Sequence, residues 1–87
     1  MVKVRVTYIG FLAEVIGLHT EVVEVPSDNT TVEDLIKFLS STRPSLKNLV
    51  NFIPLIQIFV NDEEATLSKT LKNNDKVTLM PPLYEGG

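Results

Sequence analysis

The sequence has no cysteine, which excludes disulfides, a thiolate nucleophile and any cysteine-ligated iron–sulfur or zinc centre. It has one histidine, His19, just after Gly17 and without a second ligand type at metal spacing. That residue reads as a solvated turn side chain, and no bound metal or cofactor is expected. No apolar stretch approaches the roughly 18 residues that a membrane span requires, and the opening "MVKVRVTYIG" alternates too strictly for a signal peptide. A cytoplasmic protein with no membrane partner is the expectation. Positive charge is also in short supply. Eight Lys and Arg against 11 Asp and Glu give a net charge of −3, no run of the sequence is locally basic, and nucleic acid is not an expected partner. Glycine is scarce too, at four residues, yet two of the four are Gly86 and Gly87 at the very end. At an average usage of roughly 7%, a terminal pair arises by chance in about one chain in 200, so the ending "PPLYEGG" is a feature to explain.

With 87 residues and 44% hydrophobic side chains, the chain is one domain with apolar surface enough to fold. From Val2 to Ile9, Val2, Val4, Val6 and Tyr8 alternate with Lys3, Arg5 and Thr7, the period-2 pattern of a half-buried strand. "FLAEVIG" allows a short helix closed by Gly17, and "TEVVEVP" a second strand ending at Pro26. The best helix signal is "SDNTTVEDLIKFLSSTRP". Val32, Leu35, Ile36 and Leu39 recur at helical spacing, Thr30 and Glu33 stand three apart as a capping box, and Pro44 bars continuation. "SLKNLVNFIP" reads as a short turn of helix or an irregular connection, "LIQIFVN" as a third strand, "DEEATLSKTLKNND" as a polar crossing and "KVTLMPP" as the last strand, stopped by proline. The expected architecture is α+β, a mixed sheet with one main helix on one face, strand one central and the last strand parallel beside it. Its expected core is Val4, Val6, Val23, Val32, Leu35, Ile36, Leu39, Ile58, Val60, Leu67, Leu71, Val77 and Leu79.

Four pieces together resemble the ubiquitin-like β-grasp sulfur carriers, most of all the MoaD-type small subunit of molybdopterin synthase. They are "VTYIGFLAEVIG", "TTVEDLIKFL", "IFVNDEE" and "NNDKVTLMPPLYEGG". ThiS-type carriers of thiamine biosynthesis and archaeal ubiquitin-like modifiers are similar in the same way. The chain departs from the MoaD type at two places. Asn74 stands where a turn glycine is usual, and Leu83, Tyr84 and Glu85 make three spacer residues before Gly-Gly where that type has two.

The resemblance implies a β-grasp domain over residues 1–82 and a flexible tail over 83–87. It implies that the Gly87 carboxylate is adenylated by an E1-like, ATP-using partner and becomes a thiocarboxylate, so that the chain is a sulfur-donating co-substrate and not a catalyst alone. The implied acceptor is the large subunit of molybdopterin synthase or another sulfur acceptor. A modifier joined to lysine amines through Gly87 is the second reading, and an interaction domain with an inert terminus the third. Gly86 and Gly87 lack a Cβ and suit a narrow channel, while Pro81 and Pro82 suit an extended exit from the last strand. The residues expected to meet partners are Phe59, Met80, Pro81, Pro82, Leu83, Tyr84, Gly86 and Gly87. Strand parity points Phe59, Thr78 and Met80 away from the helix, with Ile9 at the margin. The adjacent acids Glu33-Asp34 and Glu63-Glu64 read as a helix N-terminus and a charged turn, not as catalytic pairs.

Overall fold

The computed structural model describes residues 1–47 and 55–81. Strand β1 (Val2–Tyr8) buries Val2, Val4, Val6 and Tyr8 and exposes Lys3 and Arg5, as the alternation predicts. Helix α1 (Phe11–Ile16) ends at Gly17, whose φ of 90° is left-handed and whose N–H donates to the Ala13 carbonyl at 2.8 Å. Glycine adopts that φ without a steric penalty. Strand β2 (Thr20–Val25) returns antiparallel to β1 with Val4 opposite Val23.

Helix α2 (Val32–Thr42) lays Val32, Leu35, Ile36 and Leu39 on the sheet, each fully buried. Its cap differs from the expected one by a residue. The Asp34 N–H donates to Thr31 Oγ1 at 3.2 Å and the Thr31 N–H to Asp34 Oδ2 at 3.1 Å, so the box is Thr31 with Asp34, not Thr30 with Glu33. Thr30 is occupied elsewhere. It is fully buried, its hydroxyl donates to the Ser27 carbonyl, and its own carbonyl accepts from the Leu71 N–H at 2.8 Å. Glu33 instead faces Lys37 one turn on. The unpaired N–H groups of the first helical turn find the crossing segment, with Val32 donating to the Lys69 carbonyl and Glu33 to that of Leu67.

A short 3-10 turn (Pro44–Leu46) buries Leu46 beyond α2. Strand β3 (Gln57–Val60) is joined to the two-residue strand β4 (Glu63–Glu64) through Asn61 and Asp62, both at positive φ. Two successive residues of that kind make a tight hairpin whose twist suits the sheet. Reading the segment as a purely polar crossing missed this edge strand. Strand β5 (Lys76–Met80) follows Asn74, whose φ of 73° is the left-handed conformation usually given to glycine, which asparagine tolerates.

The sheet order is β2-β1-β5-β3-β4, with β1 and β5 parallel and the remaining pairs antiparallel. The expected mixed sheet forms, with the last strand parallel beside strand one; strand one is an interior strand, but the middle position of the five belongs to β5. Of the expected core residues, Leu67 alone is only half-buried, packed at the margin where the crossing meets α2. Val2, Tyr8, Leu12, Ala13, Val25 and Leu46 join the core besides.

Candidate functional site

The parallel pairing of β1 and β5 places the C-terminal ends of both strands side by side, with Tyr8 next to Leu79. The Ile9 N–H continues the ladder by donating to the Leu79 carbonyl at 3.0 Å. One residue later the ladder stops, because Pro81 has no N–H to give. Pro81 is buried under Gly10, whose φ of 63° and ψ of −136° belong to glycine. A Cβ at Gly10 would stand 3.4 Å from Pro81 Cγ, an ordinary contact, so it is the positive φ and not lack of room that calls for glycine there. Pro81, expected among the partner-facing residues, is thus buried against Gly10 at the end of β5. Pro82, Leu83, Tyr84, Gly86 and Gly87 lie outside the described residues.

On the sheet face away from α2, Phe59 sits opposite Thr78 and Met80 opposite Gln57, which makes Phe59 and Met80 diagonal neighbours. Such neighbours are about 7 to 8 Å apart, within reach of long side chains. The parity argument therefore assigned the face correctly. Both side chains are half-buried, however, and not fully exposed as a free patch would be. Glu64 lies opposite Phe59 from β4, and Ile9, 37% exposed, follows the end of β1. Phe11 and Val15 add exposed apolar surface one turn apart on α1. His19 is exposed, as expected of a turn residue, and its carbonyl accepts from the Tyr8 N–H at 2.8 Å.

At the C-terminal end of β1 lies a polar cluster absent from the expected site residues. Tyr8 is fully buried, and its hydroxyl donates to Glu21 Oε2 at 2.6 Å. Arg43, the C-cap of α2, donates to the same carboxylate through Nε at 3.0 Å and through Nη2 to Oε1. Burial, then the hydrogen bond to the Glu21 carboxylate, pushes the Tyr8 hydroxyl well above its ordinary pKa, so it stays a protonated donor. The cluster ties β1, β2 and the end of α2 together at the C-terminal end of β1. A signal was present: Glu21 shares the inward parity of Val23 and Val25 on β2, and a carboxylate on a core face needs a partner. Elsewhere, the Asp34 carboxyl is held below its usual range by the backbone N–H of Thr31, and that of Asp28 by the N-terminal amine. No helix among the described residues is long and apolar enough to cross a membrane.

The model of the ThiS family matches residues 6–86. The chain belongs to the ThiS family. It is a ubiquitin-like β-grasp protein of the sulfur-carrier type, as the resemblance in the sequence implied. Among solved structures it is similar to SAMP1, a small archaeal modifier protein of Haloferax volcanii, at 29% identity and a TM-score of 0.83 over 98% of this chain and 99% of that one. It also resembles a putative molybdopterin converting factor subunit 1 of Pyrococcus furiosus, at 24% identity and a TM-score of 0.77 over 95% and 100% of the two chains. A third likeness is to a complex of subunits 1 and 2 of the Helicobacter pylori molybdopterin-converting factor, at 22%, 0.65, and coverages of 97% and 99%. At those lower identities the likeness is one of fold. No curated protein sequence matches the chain.

Proposed function

We propose that the chain carries sulfur as a thiocarboxylate on Gly87 and supplies it to molybdopterin synthesis. The observation that carries this reading is the family match extending through Gly86, on a β-grasp body whose last described strand, β5, pairs in parallel with β1. In the proposed chemistry an ATP-using, E1-like partner joins the Gly87 carboxylate oxygen to the α-phosphorus of ATP, and pyrophosphate leaves. A sulfur nucleophile at the hydrosulfide level then attacks the carbonyl carbon, the bond to AMP breaks, and a thiocarboxylate remains. No side chain of this protein reacts. Its part is to present the terminus, with Gly86 and Gly87 passing where a Cβ would not.

A molybdopterin synthase large subunit is the proposed acceptor, in keeping with the Helicobacter complex of subunits 1 and 2, one chain of which shares the fold. The half-buried pair Phe59 and Met80, next to the exit, is the proposed docking surface for both partners. A second reading, conjugation of Gly87 to lysine amines, is favoured by the 29% identity to SAMP1.

The test is ATP–pyrophosphate exchange with the adenylating enzyme of the same organism, followed by intact mass spectrometry of protein purified from its own cells. Thiocarboxylate at Gly87 supports carriage of sulfur, and an isopeptide supports the modifier. Transfer to a synthase large subunit, with formation of the dithiolene, decides the pathway. Deleting Gly87, or changing Gly86→Val, should abolish exchange while the circular dichroism spectrum is unchanged. If both variants turn over like the parent, the terminus is inert and the protein is an interaction domain.

A further inference from the structure

The fold assembles a cationic groove on the open sheet face that no stretch of the sequence announces. In the parallel register Arg5 lies directly beside Lys76, and Lys3 stands two residues along β1 on the same face. Lys3, Val4, Arg5, Val22, Asn74 and Lys76 line an open groove of about 460 Å³. Like charges set side by side on paired strands are destabilising, so the free protein carries a repulsion there that an anion relieves. Two counter-charges are near. Lys76 Nζ is 2.9 Å from Asp62 Oδ1, and Glu24 lies opposite Lys3. Arg5 faces the exposed Val22 across the β1–β2 pair and has no carboxylate partner among the described residues.

The backbone says which anion fits. The Arg5 N–H donates to the Asp75 carbonyl, the Lys3 N–H to Asn73 Oδ1, the Asn74 N–H to the Lys3 carbonyl and the Lys76 N–H to Asn61 Oδ1. With these donors engaged the groove offers no cradle of backbone N–H groups of the kind that holds phosphate. It offers spaced side-chain cations, which suit the carboxylates of an acidic segment. The groove also shares its face with Phe59 and Met80. Lys76 and Met80 are four residues apart on one strand, or about 13 Å at 3.3 Å per residue.

We propose that Lys3, Arg5 and Lys76 dock an acidic segment of the adenylating partner, with Arg5 as the principal contact. The groove itself stands on the structure; the identity of the partner rests on the carrier reading. The cations would steer and orient the complex and leave the chemistry untouched. Two experiments divide these claims. In the first, the labelled protein is titrated by NMR with hexaglutamate, and at matched ionic strength with inorganic phosphate and with hexalysine. Shifts centred on Lys3, Arg5 and Lys76 with hexaglutamate alone, lost in Arg5→Glu, support the groove. No response, shifts scattered over the lysines, or an equal response to phosphate overturns it.

In the second, pyrophosphate exchange is measured with the adenylating enzyme. Arg5→Glu is expected to raise KM about tenfold with kcat unchanged, the size of a lost steering effect. Arg5→Lys should keep most of the parent value, and salt should raise KM for the parent but not for Arg5→Glu. Equal KM for parent and Arg5→Glu overturns the assignment of the partner even where hexaglutamate binds. Absence of exchange with the unmodified protein overturns the carrier reading, and the titration still decides the groove.

Discussion

Replacing Tyr8 by Phe removes one oxygen from a fully buried ring and nothing else. The lost hydrogen bond, 2.6 Å to a carboxylate, belongs to the charge-assisted class worth about 1.5 to 3 kcal/mol. Arg43 still holds Glu21 in the variant, so the lower end, about 1.5 kcal/mol, is expected. Arg43→Ala takes the other partner from a carboxylate only 10% exposed, and water replaces part of the loss because Arg43 itself is 40% exposed. A cost of about 1 to 3 kcal/mol follows. Because both groups share one acceptor, the double variant should depart from the sum of the singles by about 0.5 kcal/mol or more. The pH dependence has a definite sign. The hydroxyl is raised above its unfolded value near 10, so its stabilisation is complete below pH about 10 and is lost as pH rises toward the folded value. The slope there is at most about 1.4 kcal/mol per pH unit, and Tyr8→Phe should remove this part of it. Urea unfolding followed by circular dichroism, from pH 7 to 11, measures all of these. Additive single costs together with identical pH profiles for parent and Tyr8→Phe would refute the coupled cluster.

Three further outcomes are expected. Thr31→Ala should cost about 1 kcal/mol and Glu33→Ala only a few tenths, a contrast read by thermal unfolding that fixes the capping box at Thr31 and Asp34. Leu35→Ala should cost about 2 to 5 kcal/mol in the same assay, since that side chain is fully buried between α2 and the sheet; a loss below 1 kcal/mol would mean that the site collapses around the deletion. Phe59→Asp should weaken binding to the adenylating enzyme by calorimetry while costing about 1 kcal/mol of stability, because only half of the ring is buried; global unfolding would make the residue core and not docking surface.

Most of the fold was legible because it rests on local periodicity. The alternation in Val2–Tyr8, the helical spacing of Val32, Leu35, Ile36 and Leu39, and the left-handed Gly17 and Asn74 each depend on neighbours within a few residues, and each formed as read. The cap went astray by one residue because two threonines and two acids offer overlapping boxes. What separates them is Thr30's bond to the Leu71 N–H, forty-one positions away. The edge strand β4 was lost for a similar reason: two glutamates carry no strand pattern of their own and pair only because Asn61 and Asp62 turn tightly. The site divides along the same line. Parity alone put Phe59 and Met80 on the open face, since it needs only the direction of a strand. Burying Pro81 required Gly10 to lie over it, and setting Lys76 beside Arg5 required the parallel register of β1 and β5. Sequence counting called the chain acidic without basic clusters, and along the chain that is correct. Register then gathers cations more than seventy residues apart onto one face, so a protein of net charge −3 still has a cationic groove.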